Sequence, residues 1–192
     1  MLRSYVVALP AVLTILLAVT AMGPGQAGGP APVALPDSGK EKLLALKIPE
    51  SLRARHESFH AEFVKATKEP GKVGDAARTI EKLGTAHFAK AKDAFAPLGL
   101  LPELAKGKVT PEMGEAIKNA ERLRAGLPQI HGEHRELLAG LKKLAEVAKE
   151  EGKADYVRFA ERLTLHIQEE EEVLYPTVLL ISEYLKRGLN KK

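Results

Sequence analysis

The chain has 192 residues, enough for one domain with a sizeable apolar core plus a short extra segment. Hydrophobic residues make up 45% and charged residues 28%, the balance of a globular protein, and the formal net charge of +4 comes from Lys and Arg interspersed with Glu, so no nucleic-acid-binding stripe is indicated. Cysteine is absent, which excludes disulfides, thiolate ligands and lipidation at sulfur.

Residues 1–29 differ from the rest. Arg3 precedes an apolar run over residues 5–21, and small residues follow to Gly29, the arrangement of a secretory signal peptide. Val19-Thr20-Ala21 and Gly25-Gln26-Ala27 both offer small residues for cleavage. Left uncut, the run of about 17 residues is just long enough to anchor in a bilayer. The expectation is export to the periplasm or beyond the cell, with membrane attachment only if this segment stays. Residues 30–48 begin rich in Gly, Pro and Ala and read as a flexible tether.

Residues 49–188 are the expected folded domain. A first helix is predicted over residues 51–68, stopped by Glu69-Pro70-Gly71. A second is predicted from Asp75, as N-cap, to Phe95 before Pro97. Gly99, Pro102 and Gly107 predict a turn, and Thr110-Pro111-Glu112 opens the next helix. Gly126-Leu127-Pro128 predicts a break or a kink there, after which a third major helix runs to about residue 151 and ends at Gly152. The fourth starts near Ala154, kinks at Pro176 and ends at Gly188. No stretch alternates like a half-buried strand, so the fold class expected is all-α, an up-and-down four-helix bundle with short extra helices.

All six histidines fall in these helices: His56 and His60, His87, His131 and His134, and His166. His56 shares the spacing of Leu52, Phe59 and Phe63, His134 that of Leu137 and Leu141, and His166 that of Leu163 and Glu170, each set marking one helical face. Buried imidazoles and a buried carboxylate need partners, and a metal ion supplies them together. Helix heights agree: the midpoint of His56 and His87 falls beside Gly71, and that of His134 and His166 falls just before Gly152. The two halves also echo each other, since His87 precedes Pro97 by ten positions and His166 precedes Pro176 by ten. Of the run Glu169 to Glu172, Glu170 is the inward candidate, with Glu169, Glu171 and Glu172 expected in water or paired with Lys and Arg. Tyr175 is expected to pack near one end, with a hydrogen bond near the site as the other role open to it.

The segment from His166 through Glu170 to Leu174-Tyr175-Pro176 resembles the His-x-x-x-Glu…Leu-Tyr-Pro signature of hemerythrin-like cation-binding domains. The resemblance covers roughly residues 49–187. It implies a bundle holding a non-haem iron pair, with His56, His87, His134, His166 and Glu170 on ligand positions, in a family whose members bind or sense O2, respond to NO or handle iron. One position departs from the pattern: the family repeats the carboxylate four residues after the second-helix histidine, and here that residue is Ala91. Two Fe²⁺ ions carry four positive charges, and Glu170 returns only one negative. His60 and His131, near the same level, are candidate additional ligands. A mononuclear site, a modified dinuclear site and a zinc site all remain open. The functional expectation is a metal-binding module for O2, NO or iron. An iron-dependent oxidase or peroxidase is a second possibility, with no substrate indicated. The alternative is a metal-free helical scaffold that binds a partner, motivated by Ala91.

Overall fold

The computed structural model describes residues 46–190, which are helical throughout with no strand among them. The predicted signal peptide and most of the tether lie outside the described residues. No helix among the described residues is long and apolar enough to cross a membrane. Where the chain enters, Leu46 and Ile48 already pack against buried side chains.

Helix α1 (Glu50–Thr67) buries Leu52, His56, Phe59, Phe63 and Ala66, the stripe its periodicity predicts. A tight turn at Gly71, with φ of 80°, leads into α2 (Lys72–Thr79) and then α3 (Glu81–Phe95). The single helix expected from Asp75 is thus two: it begins earlier, at Lys72, and breaks at Ile80. That residue adopts φ −112° and ψ 7° and buries its side chain. The reason lies across the interior, where Gly140 leaves a gap: a Cβ there would stand 2.1 Å from Ile80 Cγ2. The bend lets Ile80 fill the space.

The turn expected around Gly99 and Pro102 is instead a 3₁₀ turn, Ala96–Leu100, followed by α4 (Leu101–Leu104). Pro97, Leu98 and Leu100 are buried, so this segment closes one end of the core. A short 3₁₀ turn at Pro111–Met113 opens α5 (Gly114–Glu150). Of the break or kink expected at Gly126-Leu127-Pro128, the break is absent: α5 runs through Pro128 for 37 residues. Pro128 is exposed, so the carbonyl it deprives of a helical partner can turn to water. Packing by α6 and α7 along α5 keeps the rod in one piece.

After Gly152 (φ 69°) come α6 (Ala154–Glu169), a π-helical turn (Glu170–Leu174) and α7 (Tyr175–Leu189). The expected kink before Pro176 takes the form of this π turn, which inserts one extra residue. Proline lacks the N–H that would continue the α ladder, and a wider turn accommodates it. α1 packs on α2, α3 and α6, while α5 packs on α2, α3, α6 and α7. The loops after α1 and α5 lie together: Lys153 Nζ sits 3.0 Å from Glu69 and 2.9 Å from Glu151, and Tyr156 donates its hydroxyl to Glu69 at 2.6 Å.

The apolar interior falls into two clusters. One gathers Phe59, Phe63, Ile80, Leu141, Phe159 and Leu163; the other gathers Leu52, Ala91, Phe95, Leu100, Tyr175 and Val178. Between them lie the buried polar residues of the centre.

Candidate metal centre

His56 comes from α1, His87 from α3, His134 from α5, His166 from α6, and Glu170 from the first position of the π turn. Each histidine sits on the inward stripe of its helix, one or two turns from buried Phe or Leu residues that fix its direction. All five are buried, Glu170 completely at 0% exposure, so its carboxylate must find its partners inside the protein.

The two oxygens of Glu170 face different pairs of imidazoles. Oε1 lies 3.3 Å from both His56 Nε2 and His166 Nε2, and those two nitrogens are 2.7 Å apart. Oε2 lies 3.5 Å from His87 Nε2 and 3.6 Å from His134 Nε2. His56, His166 and Glu170 therefore form one group with metal-ligand spacing, and His87, His134 and Glu170 form a second. Two nitrogens each about 2.1 Å from one ion stand about 3 Å apart at a right angle, and the first group is already near that shape.

The surroundings orient these rings. His134 Nδ1 donates to Glu171 Oε1 at 2.8 Å, which leaves its Nε2 lone pair for the centre. Glu169 approaches His166 Nδ1 at 3.5 Å and is itself paired with Arg55. Glu169 and Glu171, expected only in water or against Lys and Arg, thus also flank ring nitrogens; Glu172 remains exposed. Glu169 closes α6 just before Glu170, and Glu171 follows it within the π turn. Tyr175 does two things at once: its ring stacks on Phe95 at 5.2 Å, and its hydroxyl donates to Glu170 Oε2 at 3.3 Å.

Electrostatics follow from burial. Desolvation holds the His87 imidazole down, to about 4, so it is neutral at physiological pH. Burial by itself would push the Glu170 carboxyl up, but the imidazoles of His166, His56 and His87 that face its oxygens outweigh it, and the group stays well below the usual carboxylate range. Burial first, then the Glu170 charge, pushes the Tyr175 phenol far above its ordinary value, so it keeps its proton and acts as a donor. A neutral His87 ring beside an ionised Glu170 carboxylate is the protonation state that a cation needs.

Several buried polar atoms remain without hydrogen-bond partners: His87 Nε2, His166 Nδ1 and Glu170 Oε1. Orphaned donors and acceptors at this depth are costly; a cation in the first group would satisfy Glu170 Oε1, and one in the second would satisfy His87 Nε2. The residues thus fit a metal.

Of the seven residues singled out in the sequence, His56, His87, His134, His166 and Glu170 converge. His60 and His131 do not join either group. His60 is exposed on α1 with its ring edge-on to Phe88 at 5.6 Å, and His131 is half-buried one turn before His134. Ala91 is buried beside Leu52 and Phe95, so a methyl group occupies the position where the resembling pattern has its second carboxylate. Comparison with family models, with curated proteins and with solved structures found no match for this chain.

Proposed function

We propose that this chain is an exported, hemerythrin-like metal-binding protein, a four-helix bundle whose centre holds two iron ions bridged by a single carboxylate. The observation that carries the reading is the division of Glu170: each of its oxygens faces its own pair of imidazoles. A mononuclear site would leave one of those pairs without an ion. Mixed imidazole and carboxylate donors suit Fe²⁺, and they also accept zinc.

His56 and His166 would hold one ion and His87 and His134 the other. With one shared carboxylate, each group would offer an ion three protein ligands, which would leave coordination positions for a small molecule. Iron, when bound, supplies reversible coordination of O2 or NO, or storage of the metal itself. The chain's own residues keep the His87 ring neutral, aim the Nε2 of His134 inward through Glu171, and hold the Glu170 carboxylate with the Tyr175 hydroxyl. The apolar layers above and below exclude bulk water.

Elemental analysis of protein purified from an iron-supplemented host tests this directly. About two equivalents of iron are expected from the two three-ligand groups. One equivalent would refute the dinuclear arrangement, and zinc in its place would refute the iron assignment. Less than a tenth of an equivalent of any transition metal, with a melting temperature indifferent to chelator, would favour the metal-free scaffold that Ala91 suggests.

A further inference from the structure

Among the described residues, the large apolar side chains most exposed to water are concentrated on one rod. Leu165, Val173, Leu180 and Tyr184 are 65%, 51%, 68% and 48% exposed, and all lie on α6, the π turn and α7. Their spacings of eight, seven and four place them one or two turns apart, with the eight falling across the stretch that holds one extra residue. They therefore form a single outward stripe, roughly 30 Å long for about 20 residues of helix. His166 and Glu170 face the other way, into the core, so the metal reading is not involved.

A groove flanks each half of the stripe. At the α7 end, Leu101, Leu104, Leu180 and Tyr184 line one of about 510 Å³. At the α6 end, Leu138, Ala145 and Leu165 line another of about 670 Å³. A contiguous apolar face of this kind marks an interaction surface rather than scattered exposure.

The ends of the stripe carry opposite charges. Glu161 lies one turn before Leu165, and Arg187 lies one turn after Tyr184; both are exposed and neither has an ion-pair partner among the described residues. The pairs Leu165/Tyr184 and Glu161/Arg187 are centred on the same point, at Leu174 and Tyr175. We infer that this face docks a second copy of the same chain, antiparallel, about a two-fold axis passing beside Leu174. In that arrangement Leu165 enters the α4–α7 groove of the second copy, Tyr184 enters its α5–α6 groove, and Glu161 meets its Arg187. The relation is its own inverse, as an isologous interface requires. Glu172, on the exposed edge near the axis, adds a rim repulsion that water screens.

Sedimentation equilibrium of the full-length chain, over a range of concentrations, tests the inference. A monomer–dimer equilibrium is expected. Leu180→Glu would weaken it by about a hundredfold or more, since it places charge in the apolar α4–α7 groove that receives Leu165 of the second copy. Arg187→Glu and Glu161→Arg would each weaken it about tenfold, and the double reversal would restore it. All three sites are exposed, so unchanged circular dichroism shows that each variant folds. A monomer at every concentration, or a dimer that tolerates Leu180→Glu, overturns the surface. Failure of the double reversal to restore assembly overturns the antiparallel pairing.

Discussion

Glu171 Oε1 accepts a hydrogen bond from His134 Nδ1 at 2.8 Å, and so determines which nitrogen of His134 turns to Glu170. A neutral imidazole has one N–H, so using it at Nδ1 commits the Nε2 lone pair to the interior. Glu171→Gln keeps the length of the side chain but can offer an amide N–H to Nδ1, which relaxes that choice. Metal affinity is expected to fall by about tenfold to a hundredfold with helix content unchanged, as measured by competition with a chelator of known affinity. An unaltered affinity would remove Glu171 from the workings of the centre.

Glu170→Gln removes the only carboxylate shared by the two groups. The charge of two divalent ions would then meet no buried anion at that point, and bound metal is expected to fall to about one equivalent or less. His60→Ala and His131→Ala, at positions outside both groups, should retain the parent stoichiometry. Elemental analysis of the three variants side by side checks the ligand set. Metal lost equally in all three would mean that the centre is drawn too narrowly.

The bend between α2 and α3 yields a stability prediction independent of any metal. A Cβ at position 140 would stand 2.1 Å from Ile80 Cγ2, so Gly140→Ala forces the α2–α3 junction outward. Overpacking of this kind costs about 1–3 kcal/mol, against which alanine's better helix propensity returns about 1 kcal/mol. Urea denaturation should show net destabilisation, and the same substitution made in an Ile80→Ala background should cost clearly less. Equal costs in both backgrounds would mean that the contact does not govern the bend.

What could be read from the sequence, and what could not, divides by the range of the interactions involved. The inward positions of His56, His134, His166 and Glu170 follow from local periodicity, and the matched spacings in the two halves anticipated that the four buried histidines would meet. Local signals also marked the ends of α1 and α5 at Gly71 and Gly152, where positive φ favours glycine. The break at Ile80 was illegible because its cause is Gly140, far along the chain. Pro128 signals a break in any local reading; its exposure on a rod packed along its length is a tertiary fact. The four consecutive glutamates concealed most. Alpha-helical phase sends Glu171 away from Glu170, and only the π turn imposed near Pro176 explains how Glu171 reaches His134 while Tyr175 reaches Glu170.

Acid sensitivity of the metal-free protein is the remaining expectation, and its sign follows from His87. Desolvation by burial, outweighing the opposing pull of Glu170 and helped by the neighbouring His134, His56 and His166, lowers the pKa of this ring from 6.5 to about 4. The unfolded chain therefore binds a proton as pH falls through 6.5, while the folded chain resists until about 4. Within that window the unfolded state holds more protons, so stability falls with falling pH by about 1.4 kcal/mol per unit, roughly 3 kcal/mol in all; above it the contribution is fully present. The Glu170 carboxylate adds a loss in the same direction at lower pH, because its folded pKa is depressed and its stabilisation disappears as that group is finally protonated. Urea denaturation of chelator-treated protein at several pH values between 7 and 4 should show the decline, and His87→Phe should flatten it by about the amount assigned to the ring. A slope that survives His87→Phe intact would place the acid sensitivity elsewhere in the molecule.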